Sequence, residues 1–491
     1  MVTAQYFSCL KRSGTALPWI LILLGVGYVA YHWPNPVGLW PDSGTYLTFN
    51  EIRTAGYPVF LDLVISAFGT VDAVPKVQLV IAAAAFAFLG WSLHHAFRSL
   101  FCALTPVVLI MLYPQISDLH SYILTESLFV SLLCLLTGCL ALVTLRPTWY
   151  LAAAAALACG LAITVRPAAV SLLVVWPFLF WLIWRRCDNR RIALVTAVIV
   201  PIALCLMVEN VLWHVNHDSE FRPNLGDRHL FAKALMIESE PLLSDPELAS
   251  ILAEGRRVMA SGRELISGAP SHYARTRLLV DFEVSAQHST YWRVFAQDVR
   301  AIAQQREIGE YDVLAKMGRP ALLSAPAAWL RNALDHYWGL WFPYWAYASP
   351  AVLAEYQAYI EDVEPNPLFE NRPIFQHKEP PGPALRVLIR LTLGIGLLIS
   401  TLAIGLAAFQ WMRSRSPDSR LVVAALCGLA VHAHFLLVGL IGVVATRYAG
   451  AMGPLLATCG ALLVHWGIEQ AYRAEWRRFS VWAKSHRRAA Q

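Results

Sequence analysis

The chain has 491 residues, 57% of them hydrophobic and 15% charged, with a formal net charge of +6 and a mean hydropathy of +0.49. Soluble domains carry about 25% charged residues, so the composition excludes a soluble globular protein, and no nucleic-acid partner is expected. The cysteines (Cys9, Cys102, Cys134, Cys139, Cys159, Cys187, Cys205, Cys427 and Cys459) fall mostly in apolar runs and none lies in the polar segment 213–383, which excludes a disulfide there; no CxxC metal pattern occurs.

Apolar runs near ~20 residues are long enough to cross a bilayer's hydrocarbon core. The first, Ala16 to Tyr31, follows Lys11 and Arg12 and precedes Trp33-Pro34-Asn35-Pro36 rather than a small-residue cleavage site, so it reads as a retained span. Further runs at 75–93, 101–113, 124–145, 148–165, 168–184, 192–212, 384–411, 421–443 and 451–467 bring the total to about ten. Those at 101–113 and 148–165 are short, hence tilted, re-entrant or half-spans. The expected fold is an all-α polytopic membrane protein with juxtamembrane helices and a mostly helical extracytoplasmic domain. Its parts are an N-terminal membrane module, 1–212, with a first outer loop at 32–74; the extracytoplasmic domain, 213–383; C-terminal spans, 384–467; and a basic tail, 468–491.

Charge sets the orientation. On one side the short connections and termini hold Lys11, Arg12, Arg98, Arg146, Arg185, Arg186, Arg190, Arg191, Arg413, Arg415, Arg420, Arg473, Arg477, Arg478, Lys484, Arg487 and Arg488; on the other they hold only Arg53, Lys76, Arg166 and Arg447. The positive-inside rule makes the first side cytoplasmic, with both termini there. The tail "AYRAEWRRFSVWAKSHRR" reads as a helix lying on anionic lipid.

The other side gathers polar residues where apolar ones would be cheaper. Asp42, Tyr46, Arg53 and Tyr57 follow the first span; Asp118, His120, Tyr122 and Glu126 precede the fourth; Arg166, Arg447 and Tyr448 sit in very short connections. Charges at the bilayer boundary are costly and tend to be paired or functional. Three guanidinium groups converging there would suit a phosphate, because the planar fork matches its oxygens. Each residue also has a plainer role open to it: an arginine as interfacial anchor, Glu126 as an acid at a helix N-terminus, Asp42 as an N-cap. His432 and His434, two apart in one span, read as buried hydrogen-bonding groups rather than a metal pair. The run "HYWGLWFPYWAY", 336–347, reads as an interfacial belt or a sugar-stacking platform, and Arg386 and Arg390 as headgroup anchors or secondary phosphate ligands.

The motifs Asp42-Ser43-Gly44-Thr45-Tyr46-Leu47, Arg53-Thr54-Ala55-Gly56-Tyr57-Pro58, Thr125-Glu126-Ser127-Leu128-Phe129, Arg166-Pro167 and Arg447-Tyr448, in that order, resemble those of GT-C-type polyprenyl-phosphate-dependent membrane glycosyltransferases, a group that includes protein O-mannosyltransferases and lipid A aminoarabinose transferases. The resemblance is best up to about residue 185. It implies a GT-C-like bundle, a polyprenyl-phosphate-linked sugar as donor, and a hydroxyl acceptor on a glycan, lipid or protein. It implies Asp42 as general base, Arg53, Arg166 and Arg447 on the donor phosphate, and Glu126 and Asp118 as supporting acids. Tyr46, Tyr57, His120, Tyr122 and Tyr448 are the candidates to line the substrate cavity. Several relatives carry paired acids where this chain has Asp42 and Ser43, so no cofactor is assigned and a divalent cation stays open. A lipid-linked-sugar polymerase or ligase, or a flippase, is the alternative class. Read as one helix over 43–53, the first loop would hold Asp42 and Arg53 about 16 Å apart, room for a sugar and phosphate between them.

Overall fold

The computed structural model describes residues 2–33, 37–183, 191–219, 222–238, 243–287, 290–342, 383–414, 416–442 and 446–489. Among them there is no strand, only an isolated parallel bridge between Gly38 and Tyr122. In chain order the first helices are α1 (Val2–Tyr31), α2 (Pro41–Leu47), α3 (Gly56–Phe68), α4 (Ala73–Phe97), α5 (Leu100–Leu112), α6 (Pro114–Leu119), α7 (Thr125–Leu145) and α8 (Trp149–Val165). A 3-10 turn, Pro167–Val174, leads into α9 (Val175–Ile183), followed by α10 (Arg191–Asn216). The polar segment contributes α11 (Leu225–Met236), α12 (Pro246–Val258), α13 (Ala260–Ser267), α14 (His272–Gln287), α15 (Ala296–Gln305), α16 (Glu310–Ser324) and α17 (Pro326–Trp341). The chain closes with α18 (Pro383–Ser414), α19 (Ser419–Ile441), α20 (Thr446–Ala451) and α21 (Gly453–Ala489).

Among the described residues, five helical stretches are long and apolar enough to cross a membrane: Ala73–Phe97, Thr125–Leu145, Arg191–Asn216, Val387–Ser414 and Ser419–Ile441. Shorter apolar stretches lie at Ala16–Tyr31, Gly56–Phe68, Leu100–Leu112, Trp149–Val165 and Pro167–Leu182. The stretch Gly56–Phe68 lies inside the first outer loop, where the sequence reading had no apolar helix. The tail also differs from expectation: it continues the last span as one helix, Gly453–Ala489, instead of forming a separate one.

Prolines punctuate this layout. A residue before proline is pushed out of the helical region, so Pro167 ends α8 with Arg166 extended (φ −145°, ψ 108°), and Pro41 opens α2 after an extended Trp40 (φ −111°, ψ 162°). The two breaks place Arg166 at the end of α8 and Asp42 in the first turn of α2.

Among the described residues, three apolar cores form. The main one joins the long helices; a second lies within α11–α16; a third, with Val37, Leu39, Tyr57, Leu61, Ile123 and Val165, sits beneath the first outer loop. Helix α17 joins the main core, running antiparallel along α19. Trp329 Nε1 donates to the Leu440 carbonyl (3.0 Å), the Tyr337 hydroxyl meets His432 Nδ1 (2.7 Å), and buried Trp341 packs on Phe435. The first half of the aromatic run is therefore helix-packing surface, with Trp338 and Phe342 left partly exposed. The remainder, 343–347, and the Arg386 side chain lie outside the described residues. His432 also meets Ser400 Oγ (3.0 Å), and His434 meets Ser171 Oγ (3.0 Å), so the two histidines serve separate partners. Arg390 donates to the Tyr273 hydroxyl (2.8 Å), tying α18 to α14. A buried group pins α11, α14 and α17 together: Lys233 Nζ reaches Glu283 Oε2 (3.2 Å) and Asn332 Oδ1 (3.0 Å).

Candidate active site

Two loops that are distant in sequence are stitched side by side. Gly38 N–H donates to the Ser121 carbonyl (2.9 Å) and Ile123 N–H to the Gly38 carbonyl (3.2 Å). A Cβ at Gly38 would lie 2.4 Å from the Tyr122 ring, so a side chain there would have to displace that ring. Ser43 Oγ accepts from the Trp40 N–H (2.8 Å) and donates to the Ile123 carbonyl (2.9 Å). A carboxylate at 43 could not make that second bond, since it only accepts. The result sets α2 beside the N-terminus of α7, and Asp42 near Glu126.

The expected helix over 43–53 does not form. Helix α2 ends at Leu47, Phe49 adopts a left-handed φ of 45°, Asn50 N–H donates to the Thr45 carbonyl, and the chain doubles back. Arg53 Nη2 consequently sits 2.7 Å from Asp42 Oδ1, in a salt bridge rather than a sugar's length away.

Gly56 lets α3 begin in this confined space. A Cβ there would meet the Thr164 backbone, 2.6 Å from its oxygen and 2.7 Å from its carbon. Backbone atoms near the end of α8 cannot give way as a flexible side chain would. Gly56→Ala is expected to cost about 1–3 kcal/mol and to lower the thermal unfolding midpoint of the detergent-solubilised protein; an unchanged midpoint would refute the close contact.

Five charged side chains then alternate in sign: Arg53, Asp42, Arg447, Glu126, Arg166. Arg447 Nη2 lies 2.6 Å from Asp42 Oδ2 and its Nε 3.1 Å from Glu126 Oε1; Arg166 Nη1 lies 3.0 Å from the same Glu126 oxygen. Thr125 Oγ1 donates to Glu126 Oε2 (3.1 Å). Each guanidinium also lies over an aromatic face, a favourable cation–π placement: Arg53 over Tyr46 at 4.3 Å, Arg166 over Tyr448 at 4.3 Å and Arg447 over Trp40 at 5.3 Å. Arg53 also donates from Nη1 to the Tyr46 hydroxyl (3.2 Å) and from Nε to Thr45 Oγ1 (2.8 Å). Trp40 and Thr45 were not singled out from the sequence, although both flank Asp42 in the same short loop.

The other predicted residues fall elsewhere. Tyr57 is fully buried and donates to Gln78 Oε1 (2.7 Å), so it is a core residue and not cavity lining. His120 is likewise buried, with Nδ1 2.7 Å from Ser127 Oγ; burial pushes its imidazole down to about 3, which leaves it neutral. Tyr122 packs edge-on against Trp40 (5.8 Å), one ring removed from the charges. Asp118 lies on α6 beside Tyr122, and the two acids of the charge chain are Asp42 and Glu126.

Among the described residues, the row sets three arginines against two carboxylates, one positive charge in excess. Burial pushes the Asp42 carboxyl up, and the Arg53 and Arg447 guanidinium groups more than reverse this, holding it well below the usual carboxylate range. Arg447 Nη1 is buried and, among the described residues, has no hydrogen-bond acceptor. Such a donor is costly unless something accepts from it. A divalent cation does not fit this donor set: both Asp42 oxygens and Glu126 Oε1 face guanidinium groups, and the excess charge is positive. No cluster of three His, Cys, Asp or Glu side chains able to hold a metal occurs among the described residues.

No family model matches the chain, and no curated protein matches it. Two solved structures are similar to it over most of its length. The crystal structure of ArnT from Cupriavidus metallidurans bound to undecaprenyl phosphate is 11% identical, with a TM-score of 0.29, covering 92% of this chain and 77% of that one. ArnT from the same organism in the apo state is 12% identical, with a TM-score of 0.28, covering 93% of this chain and 78% of that one.

Proposed function

We propose that the chain is a membrane glycosyltransferase that moves a sugar from a polyprenyl phosphate to a hydroxyl acceptor at the outer face of the cytoplasmic membrane. The observation that carries this reading is the alternating row Arg53, Asp42, Arg447, Glu126, Arg166 at one end of an apolar helix bundle, which among the described residues sets three arginines against two acids and leaves Arg447 Nη1 without an acceptor. A sugar phosphodiester carries one negative charge, which the excess positive charge would balance. Orientation is supported by the basic residues gathered at the opposite connections.

In the resting state both Asp42 oxygens are held by arginines, so the carboxylate is a poor base. A donor phosphate competes for those guanidinium groups. When it draws one away, an Asp42 oxygen is freed and its basicity rises, because the neighbouring charge that depressed it has gone. Asp42 then takes the proton of the acceptor hydroxyl as that oxygen bonds to the anomeric carbon; the bond from that carbon to the phosphate oxygen breaks, and the phosphate leaves as a dianion. Arginines held ready at the site of developing negative charge lower the barrier. Glu126 keeps Arg166 and Arg447 aimed at the leaving group, and the fixed aromatic faces limit their motion.

Binding tests the reading. Polyprenyl phosphate is expected to raise the thermal midpoint of the purified protein, and neutral polyprenol is not. Equal effects from both would remove the phosphate site. Mass analysis of envelope glycolipids and polysaccharides, with and without the protein, then identifies the acceptor by the sugar it loses.

A further inference from the structure

The end of α10 and the residues after it grip the loop that carries Arg53. Glu209 Oε1 accepts from the Ala55 N–H (3.1 Å), and its Oε2 accepts from Arg222 Nη1 (3.0 Å). Trp213 Nε1 donates to the Glu51 carbonyl (3.0 Å). His217 Nε2 lies 2.7 Å from the Phe49 carbonyl oxygen, and its Nδ1 lies 2.8 Å from the Trp213 carbonyl oxygen. The ring stacks on Trp213, centroids 4.5 Å apart at 20°, and meets Phe49 edge-on at 4.8 Å.

Two features of this grip are unusual. Phe49 holds a φ of 45°, which bulky side chains rarely adopt, so the turn depends on contacts from outside itself. And both nitrogens of His217 face carbonyl oxygens, which only accept. A neutral imidazole has a single N–H and would press a lone pair against one of them; the imidazolium donates to both.

We propose that His217 is a positioning residue for Arg53, locking the Phe49 turn through both ring nitrogens, so that the site holds a lipid phosphate less tightly when this lock is lost. This rests on the reading of Arg53 as a phosphate ligand. The other titratable groups on the elements that meet here are Glu51 and Arg53 on the loop, Glu209 and His214 on α10, and Asp218 and Arg222 on the segment that follows. Glu209 and Arg222 are paired with each other. His214, edge-on to the other aromatic neighbour Trp213 at 5.0 Å, is the control.

Hydrogen exchange of the amides in 48–56, corrected for intrinsic rate, reads the lock without any ligand. The wild type and His214→Gln are expected to be protected alike, and His217→Gln to lose roughly tenfold in protection. Equal protection in wild type and His217→Gln overturns the proposal. Polyprenyl phosphate affinity should then fall several-fold in His217→Gln and be kept in His214→Gln; equal affinity in wild type and His217→Gln overturns the positioning role. If no variant binds the phosphate, it is the functional reading of the site that fails, and the exchange result still decides the lock.

Discussion

Asp42→Asn is expected to lower turnover about 10²- to 10⁴-fold, the range for loss of a general base, while binding of polyprenyl phosphate is kept or tightened. The substitution preserves size and the Oδ1 acceptor for Arg53, but an amide cannot take a proton from the acceptor hydroxyl. It also removes the negative charge that occupies Arg447 Nη2 and Arg53 Nη2 in the resting state. Those donors then face an anionic ligand without a competing carboxylate. The two effects have opposite signs, and a plain folding defect would produce neither pattern, since it would weaken both. Steady-state turnover with a lipid-linked sugar, beside equilibrium binding of the lipid phosphate, separates them. Near-normal turnover in the folded variant removes Asp42 as the base; a parallel loss of turnover and binding makes it a structural clamp.

How much of this could be read from the sequence depends on what each residue needed. Asp42, Arg53, Glu126, Arg166 and Arg447 stand out because charges at a bilayer boundary are expensive and the prolines beside two of them fix helix ends. Their mutual pairing was not legible, because the turn at Phe49 has no glycine to announce it; tertiary bonds from His217, Trp213 and Glu209 hold it. Tyr57 and His120 were misplaced for a related reason: a polar aromatic in an outer loop looks like cavity lining until the Gln78 and Ser127 partners that bury it are known. Glu209 left a signal that went unused, a lone acid near the end of an apolar run. The aromatic segment of α17 could not be placed from the sequence, since the partners that settle its place, His432, Phe435 and Leu440, are about 95 to 111 residues further along the chain.

Arg447→Lys tests the centre of the row, and its two consequences separate by temperature. Arg447 uses different nitrogens of one planar fork for two acids, Nη2 for Asp42 and Nε for Glu126, and its Nη1 has no acceptor among the described residues, the donor proposed for the phosphate. A lysine ammonium is a single point charge on a flexible stem and cannot serve all three. With Glu126 only 2% exposed, a carboxylate that loses one of its two cations is left poorly compensated. Removing a partner from a buried pair outright costs about 3–5 kcal/mol, and keeping the charge should limit this to about 2–4 kcal/mol, seen as a lower thermal midpoint. Loss of the fork should also weaken polyprenyl phosphate binding at least about tenfold. Glu126→Gln cannot serve as the control, because it would leave buried Arg166 without its acid. Phosphate binding measured well below the lowered midpoint, where the variant is folded, separates the two effects, and it should stay weak there. If folded Arg447→Lys binds the phosphate as the wild type does, Arg447 is an internal strut only and its guanidinium has no direct part in holding the leaving group.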